Sequence, residues 1–212
     1  MKKFFIEIGS ADFNTLLCLD KNRWEGIIVE PVTELIENLP DVDHIIYETS
    51  AITDERGVGV KKFKYYDPEF TEGHWRRGIS LIDRDENIQD IMDLPGNSHW
   101  KHQIKYLDVS CITLNTLLEK HNVEKIDFLK IDTEGYEYSI LQSYNWSILP
   151  EVMQIEVEHW WRFGITSDMI TEFVLSLSER GYFISGAAEI IGDQVHLSGF
   201  SGKSISDLYA VR

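Results

Sequence analysis

An α/β fold with a mostly parallel sheet is what this sequence predicts, on two observations. Short runs rich in Ile, Val, Leu and Phe alternate along the chain with segments whose apolar residues recur at helical spacing. The runs are continuous, as strands covered on both faces require, and Phe128, Leu129 and Ile131 within residues 126–132 are the clearest case. At 212 residues, with no internal repeat, low-complexity tract or linker, the chain is expected to form one domain with a sizeable core.

Each element follows in order. Phe4 to Ile8 is the first expected strand, and Gly9-Ser-Ala-Asp12 turns the chain into a short helix carrying Leu16, Leu17 and Leu19. Gly26 to Glu30 is the second strand. Pro31 suits the first turn of the helix after it, whose Val32, Leu35, Ile36 and Leu39 form one stripe. His44 to Thr49 is the third strand, and Val58 to Tyr66 a further extended segment after the Arg56-Gly57 turn. Residues 67 to about 107, rich in His, Trp and Arg, read as an irregular insertion. Thr113 caps a helix burying Leu114, Leu117 and Leu118. Residues 126–132 are the fourth strand, a helix runs through Leu141, and Val152 to Glu158 is the fifth. The helix from Ser167 buries Ile170, Phe173, Val174 and Leu177 and ends at Gly181. Tyr182 to Ser185 and Leu208 to Val211 close the sheet, with a hairpin between them.

Composition disfavours several classes of function. The formal net charge of −16 repels polyanions, so a neutral small-molecule substrate is expected rather than nucleic acid. No apolar run is long enough to span a membrane, and the apolar start is broken by Glu7, too early for a signal peptide. Cys18 and Cys111 form neither a disulfide framework nor a zinc pattern, and are expected as core thiols in a reducing cytoplasm.

Three features point to a site at the carboxyl ends of the strands, where open α/β sheets bind ligands. Gly9, directly after the first strand, allows close backbone approach, and the amides after it present donors; the same turn also serves purely structural ends. Glu30, ending the second strand, can accept hydrogen bonds from both hydroxyls of a ribose, or can be a solvated strand-end acid. Lys130 and Asp132 share a strand face, and Glu134 and Gly135 open the next helix; an ion pair with a helix-capping Glu is the plainer alternative. A dinucleotide turn wants further glycines, but Ala11 and Phe13 or Asn14 stand there. Glu7 suits a cofactor bearing a cationic amino group. S-adenosylmethionine, with a ribose, an ammonium and no phosphates, is therefore preferred to a nicotinamide cofactor.

The order of Phe-Ile-Glu-Ile-Gly-Ser (5–10), Gly-Ile-Ile-Val-Glu-Pro (26–31), Ser-Ala-Ile-Thr-Asp (50–54), Ile-Thr-Leu-Asn-Thr-Leu-Leu (112–118) and Asp-Phe-Leu-Lys-Ile-Asp-Thr-Glu-Gly-Tyr-Glu (127–137) resembles the FkbM family of S-adenosylmethionine-dependent methyltransferases. The likeness spans roughly residues 4 to 160. It implies a class I methyltransferase fold, a Rossmann-like three-layer sandwich on a seven-stranded, mostly parallel sheet with an antiparallel last strand. It also implies O-methylation of a hydroxyl on a sugar, glycan or related small molecule. By position, Glu7, Gly9 and Ser10 would frame the methionine part of the cofactor, with Ala11, Asn14 and Thr15 continuing that turn. Glu30, beside Pro31, would hold the ribose, and Ser50 and Ala51 would lie by the adenine. Lys130, Asp132 and Glu134 would face the reacting hydroxyl. The chain departs from the family pattern at Glu7, where Asp is common, at Phe13, where a second glycine is expected, and at Asn115, where Asp is usual. Phe13 is expected to tighten or occlude the cofactor pocket.

Methyl transfer to an alcohol needs alignment and a deprotonated acceptor. The candidate bases are Asp132, Glu134 and the acids of the fifth strand. There Gln154, Glu156 and Glu158 share a face, so that Lys130 could pair with Glu156 while Glu158 or His159 lies nearer the open end. Asp132, Glu134 and Glu156 offer hard oxygen ligands, yet tight ligand spacing is absent, so a divalent metal is possible but not expected. His99 and His102 lack companion cysteines. In the insertion, His74, Trp75, Arg76 and Arg77, with the Trp100 segment, could stack on a sugar and hold an acidic group, forming a lid. Packing of a long loop is the equal alternative. Trp160-Trp161-Arg162 either walls the same cleft or belongs to the core. A nicotinamide-dependent oxidoreductase and a non-catalytic nucleoside-binding module remain the competing functions.

Overall fold

The computed structural model describes residues 2–13, 16–17, 19–69, 74–82, 92, 100–186, 188–191, 194–197 and 207–212. The strands are Lys3–Ile8 (β1), Trp24–Val29 (β2), Ile45–Glu48 (β3), Ala51–Thr53 (β4), Gly59–Tyr66 (β5), Ser80–Ile82 (β6), Ile104–Thr113 (β7), Phe128–Ile131 (β8), Val152–Glu156 (β9), Phe183–Gly186 (β10), Ala188–Ile191 (β11), Gln194–Leu197 (β12) and Asp207–Val211 (β13). The helices are Thr33–Ile36 (α1), Leu114–Lys120 (α2), Glu137–Ser143 (α3) and Ser167–Glu179 (α4).

The expected α/β architecture with a large, mostly parallel sheet is present. Its strands run in the order β10-β13-β9-β8-β1-β2-β3. β1 pairs in parallel with both β2 and β8, and β13 lies antiparallel between β9 and β10. β1 and β2 bury their last four residues without a break, the signature of a strand covered on both faces. The chain winds outward from β1 to β3 on one side and from β8 to β9 on the other, so the order reverses between β1 and β8. That switch point is where a ligand crevice opens in such sheets.

α4 lays Ile170, Phe173, Val174 and Leu177 into the main core, and Thr166 and Thr113 cap α4 and α2 by accepting from backbone amides. Gly181 lies just past α4 at φ +90, as expected of its ending residue. β11 and β12 form the expected hairpin. Cys111 is a buried free thiol, and Cys18 lies outside the described residues.

Three expectations need correction. The described residues around Leu16 to Leu19 form turns rather than a helix, although Leu16 still packs with Phe5 and Ile28. The helix after Pro31 is a single turn. Asn38 and Leu39 donate to carbonyls three residues back, so the chain tightens before Pro40, which disfavours helical geometry in the residue preceding it. Val32, Leu35 and Leu39 are buried all the same. Finally, residues 67–107 are not irregular throughout. β6 pairs with β5 and β7 opens at Ile104, giving a second sheet in the order β4-β7-β5-β6. Alternation along β7 is the physical reason: a strand with one wetted face hides among polar residues.

Glu48, at the end of β3, fastens this frame. Its carboxylate accepts from Lys120 Nζ at 2.7 Å and lies 2.9 Å from His121 Nε2, both near the end of α2. Burial raises its pKa, but these partners and Ser50 outweigh it and bring it down to about 2. A depressed carboxylate stabilises the fold above its unfolded pKa and loses that contribution as acid protonates it. Wild-type protein is therefore expected to lose about 2 to 3 kcal/mol of stability between roughly pH 4.5 and 2 through this group. Urea titrations of the wild type and Glu48→Gln across that window check this; an unchanged difference between them at every pH would remove Glu48 from the acid response.

Candidate functional site

The end of β1 is fixed by contact with β8. Gly9 has φ +79, and a Cβ there would sit 1.7 Å from the backbone oxygen of Asp132. The close approach that Gly9 permits is thus first to the neighbouring strand end, although Gly9 also lines the cleft. Ala11, at φ +48, donates its amide to Glu30 Oε2 at 2.8 Å, and Val32 donates to Oε1 at 2.9 Å. Glu30 is almost wholly buried, and burial pushes its pKa up to about 7 against the pull of those two amides.

A cleft of about 630 Å³, its open mouth included, lies at these strand ends. Of the residues singled out by sequence, Gly9, Glu30, Pro31, Ala51, Asp132 and Glu134 line it. Glu7, Ser10, Ala11, Ser50 and Lys130 stand behind this wall: Ser10 Oγ donates to the carbonyl of Ala11, and the Ser50 amide donates to Glu48. Asn14 and Thr15 lie outside the described residues. Reasoning from sequence missed Ile52, Phe63, Tyr136 and Phe163, together with Ser80 to Ile82 from the insertion.

Lys130 does not take the partner expected of it. Its Nζ bonds Glu7 Oε1 at 3.0 Å and lies 3.5 Å from Asp132, because parallel pairing sets Lys130 beside Glu7 on one side and Gln154 on the other. Glu156 is two residues further along. Burial works against the ammonium, yet Glu7 and Asp132 prevail and raise its pKa. Glu7 therefore gives one oxygen to an internal cation, and its Oε2 is buried without a hydrogen-bond partner. For Asp132, burial outweighs Lys130 and raises the carboxyl.

The loop after β8 is shaped by Glu137, whose recognition as a structural residue the sequence reading lacked. Fully buried, it accepts from the Thr133 amide and hydroxyl, the Gly135 amide and Trp160 Nε1. Burial raises its pKa while those donors oppose the rise. The loop carries Glu134 at φ +57, a strained conformation for a residue with a side chain, and Gly135 at φ +109 against the ring of Phe163. So placed, Glu134 Oε2 lies 2.9 Å from His159 Nε2, which is 3.6 Å from Glu156 Oε1. Burial first, then Glu134 and the other surrounding acids, drives the Glu156 carboxyl far above the carboxylate range. Burial opposes the imidazolium of His159, but Glu134 overcomes it and raises the pKa.

In the insertion, Arg77 is ion-paired with Asp12, so its charge ties the first turn to this segment. His74 packs on Trp100 with ring centroids 5.1 Å apart, and Arg76 lies over the same indole. Of the five residues expected at a substrate, His74 and Arg76 are thus engaged by packing and Arg77 by an ion pair, and His159 lies beside Glu134; of Trp75 the side chain lies outside the described residues. Phe13 is 48 % exposed and leans on Gly78 rather than filling the cleft. Trp160 belongs to the core, while Trp161 is exposed.

The model of the methyltransferase FkbM domain matches residues 5–184. The chain belongs to the FkbM methyltransferase family. No curated protein and no solved structure matches it significantly. The FkbM region opens in β1 and closes in β10, reaching beyond the motifs through residue 137 to take in α4. Every lining residue of the cleft falls inside it. Among the described residues of this FkbM protein, no helix is long and apolar enough to cross a membrane.

Proposed function

We propose that this FkbM protein is an S-adenosylmethionine-dependent O-methyltransferase acting on a hydroxyl of a sugar, glycan or related small molecule. The single observation that carries the reading is the cleft at the switch point, where Gly9, Glu30, Ala51, Asp132 and Glu134 converge. The seven strands then correspond to the class I methyltransferase sandwich, with β13 as its antiparallel strand, in one domain whose insertion covers the cleft.

The donor chemistry fits the cofactor. Ala51, Ile52 and Phe63 give an apolar wall suited to adenine. Glu30 spends one lone pair of each oxygen on an amide and keeps others for ribose hydroxyls. None of the described lining residues is Lys or Arg, so a pyrophosphate would find no counter-charge, which speaks against a nicotinamide dinucleotide. When bound, S-adenosylmethionine supplies an electrophilic methyl group on a sulfonium. Asp132 faces the acceptor and takes its hydroxyl proton on a carboxylate oxygen, a role open to general-base catalysis. Lys130, backed by Glu7, fixes that carboxylate, and Glu137 holds the loop presenting Glu134. Ser80 to Ile82 exclude water from above.

Isothermal calorimetry with S-adenosylmethionine, S-adenosylhomocysteine and NADH tests the reading. Micromolar binding of the first two without the third is expected; no binding of either would sink it. Glu30→Gln, which keeps one acceptor for the amides, is expected to weaken S-adenosylhomocysteine binding about tenfold, one lost hydrogen-bond pair. Unchanged affinity would take Glu30 out of the cofactor site.

A further inference from the structure

Glu134, Glu156 and His159 reach one point from three places: the loop after β8, the end of β9 and the turn beyond it. Their donor atoms all lie within 4.8 Å of one another. His159 is 7 % exposed and aims Nε2 at both carboxylates, 2.9 Å from Glu134 and 3.6 Å from Glu156. Its Nδ1 and Glu156 Oε2 are buried without a hydrogen-bond partner, while Glu134 Oε2 has only Nε2 beside it. Native folds rarely leave such atoms unsatisfied, because each costs the desolvation of the group. Two acids held together beside a third, Asp132, also repel, and Lys130 is already engaged by Glu7 and Asp132. The strained backbone of Glu134 aims its carboxylate at this point rather than at solvent.

We propose that Glu134, Glu156 and His159 bind one divalent transition-metal cation beside the cleft. Donors around such an ion stand roughly 3 to 3.5 Å apart, given metal–ligand distances of about 2.1 Å, so small side-chain rotations suffice. Two carboxylates with an imidazole suit Mn²⁺ or Zn²⁺ better than Mg²⁺, which prefers an all-oxygen shell. Three protein ligands leave positions open, and Glu134 already lines the cleft. An acceptor hydroxyl taking one of those positions would lose its proton more easily to Asp132. That use of the ion rests on the methyl-transfer reading above; the binding of the ion does not.

The test is a titration of the full chain, free of cofactor, with Mn²⁺ read by electron paramagnetic resonance and Zn²⁺ read by calorimetry. One ion per chain is expected at micromolar affinity. Glu156→Gln and His159→Gln should each weaken it by at least about tenfold, the lower end of what even outer-shell losses cost. Circular dichroism verifies that each variant is folded, and either variant alone suffices. Absence of stoichiometric binding at millimolar ion, or wild-type affinity in a folded variant, overturns the site. S-adenosylhomocysteine is titrated into the same samples. Ion binding without it upholds the site while sinking the methyltransferase reading; its binding without the ion overturns the site and leaves that reading standing.

Discussion

Replacing Glu137 with alanine is expected to cost about 3 to 5 kcal/mol, a third or more of the stability of an ordinary domain. The carboxylate is fully buried, and its removal leaves the amides of Thr133 and Gly135 and the indole N–H of Trp160 without acceptors. Unsatisfied buried donors cost roughly 1 to 3 kcal/mol each, part of which is recovered by relaxation or entry of water. Thermal unfolding followed by circular dichroism should show a fall in Tm of about 6 to 20 °C for a chain of this size. Glu137→Gln, which retains an oxygen but turns an NH₂ toward a donor, should fall in between. A Tm within about 2 °C of the wild type for the alanine variant would mean that other contacts hold the loop.

Asp132→Asn should instead leave the fold and cofactor affinity nearly intact and lower methyl transfer by roughly 10² to 10⁴-fold, the usual worth of a general base. The geometry explains the separation. Asp132 lines the cleft, while Lys130 keeps Glu7 as its closer partner at 3.0 Å, so the buried cation is not orphaned by the change. S-adenosylhomocysteine release over a panel of sugar acceptors measures the rate, and calorimetry measures affinity. Turnover within about tenfold of the wild type would move the base elsewhere, with Glu134 next in line.

How much of this was legible beforehand depended on the range of the forces involved. Strands with unbroken apolar runs, such as 128–131, and helices with a full stripe, such as α4, were readable because burial imprints a local period. The lining of the cleft was partly readable too, since Gly9, Glu30 and Asp132 occupy strand ends that recur with the topology. Pairings between strands were not. Lys130 was expected to meet Glu156, but the register falls two residues short of it and puts Glu7 and Gln154 at its sides. Glu137 looked like one more acid at a helix start; its importance arises from Trp160, 23 residues on, which no spacing announces. Likewise Phe13 was read as a residue that could tighten or occlude the cofactor pocket and leans instead on Gly78, in a segment that read as an irregular insertion.

β13 is an interior strand made from residues 207–211, flanked by β9 and β10. During synthesis, then, β9 shows a bare edge to solvent for the whole interval in which α4, β10 and the hairpin are being made. Exposed edges of this kind recruit other chains, and closing them late, through long sequence separation, slows folding. Residues 207–211 thus complete the sheet from within, and deleting them would remove an interior plank rather than trim a margin.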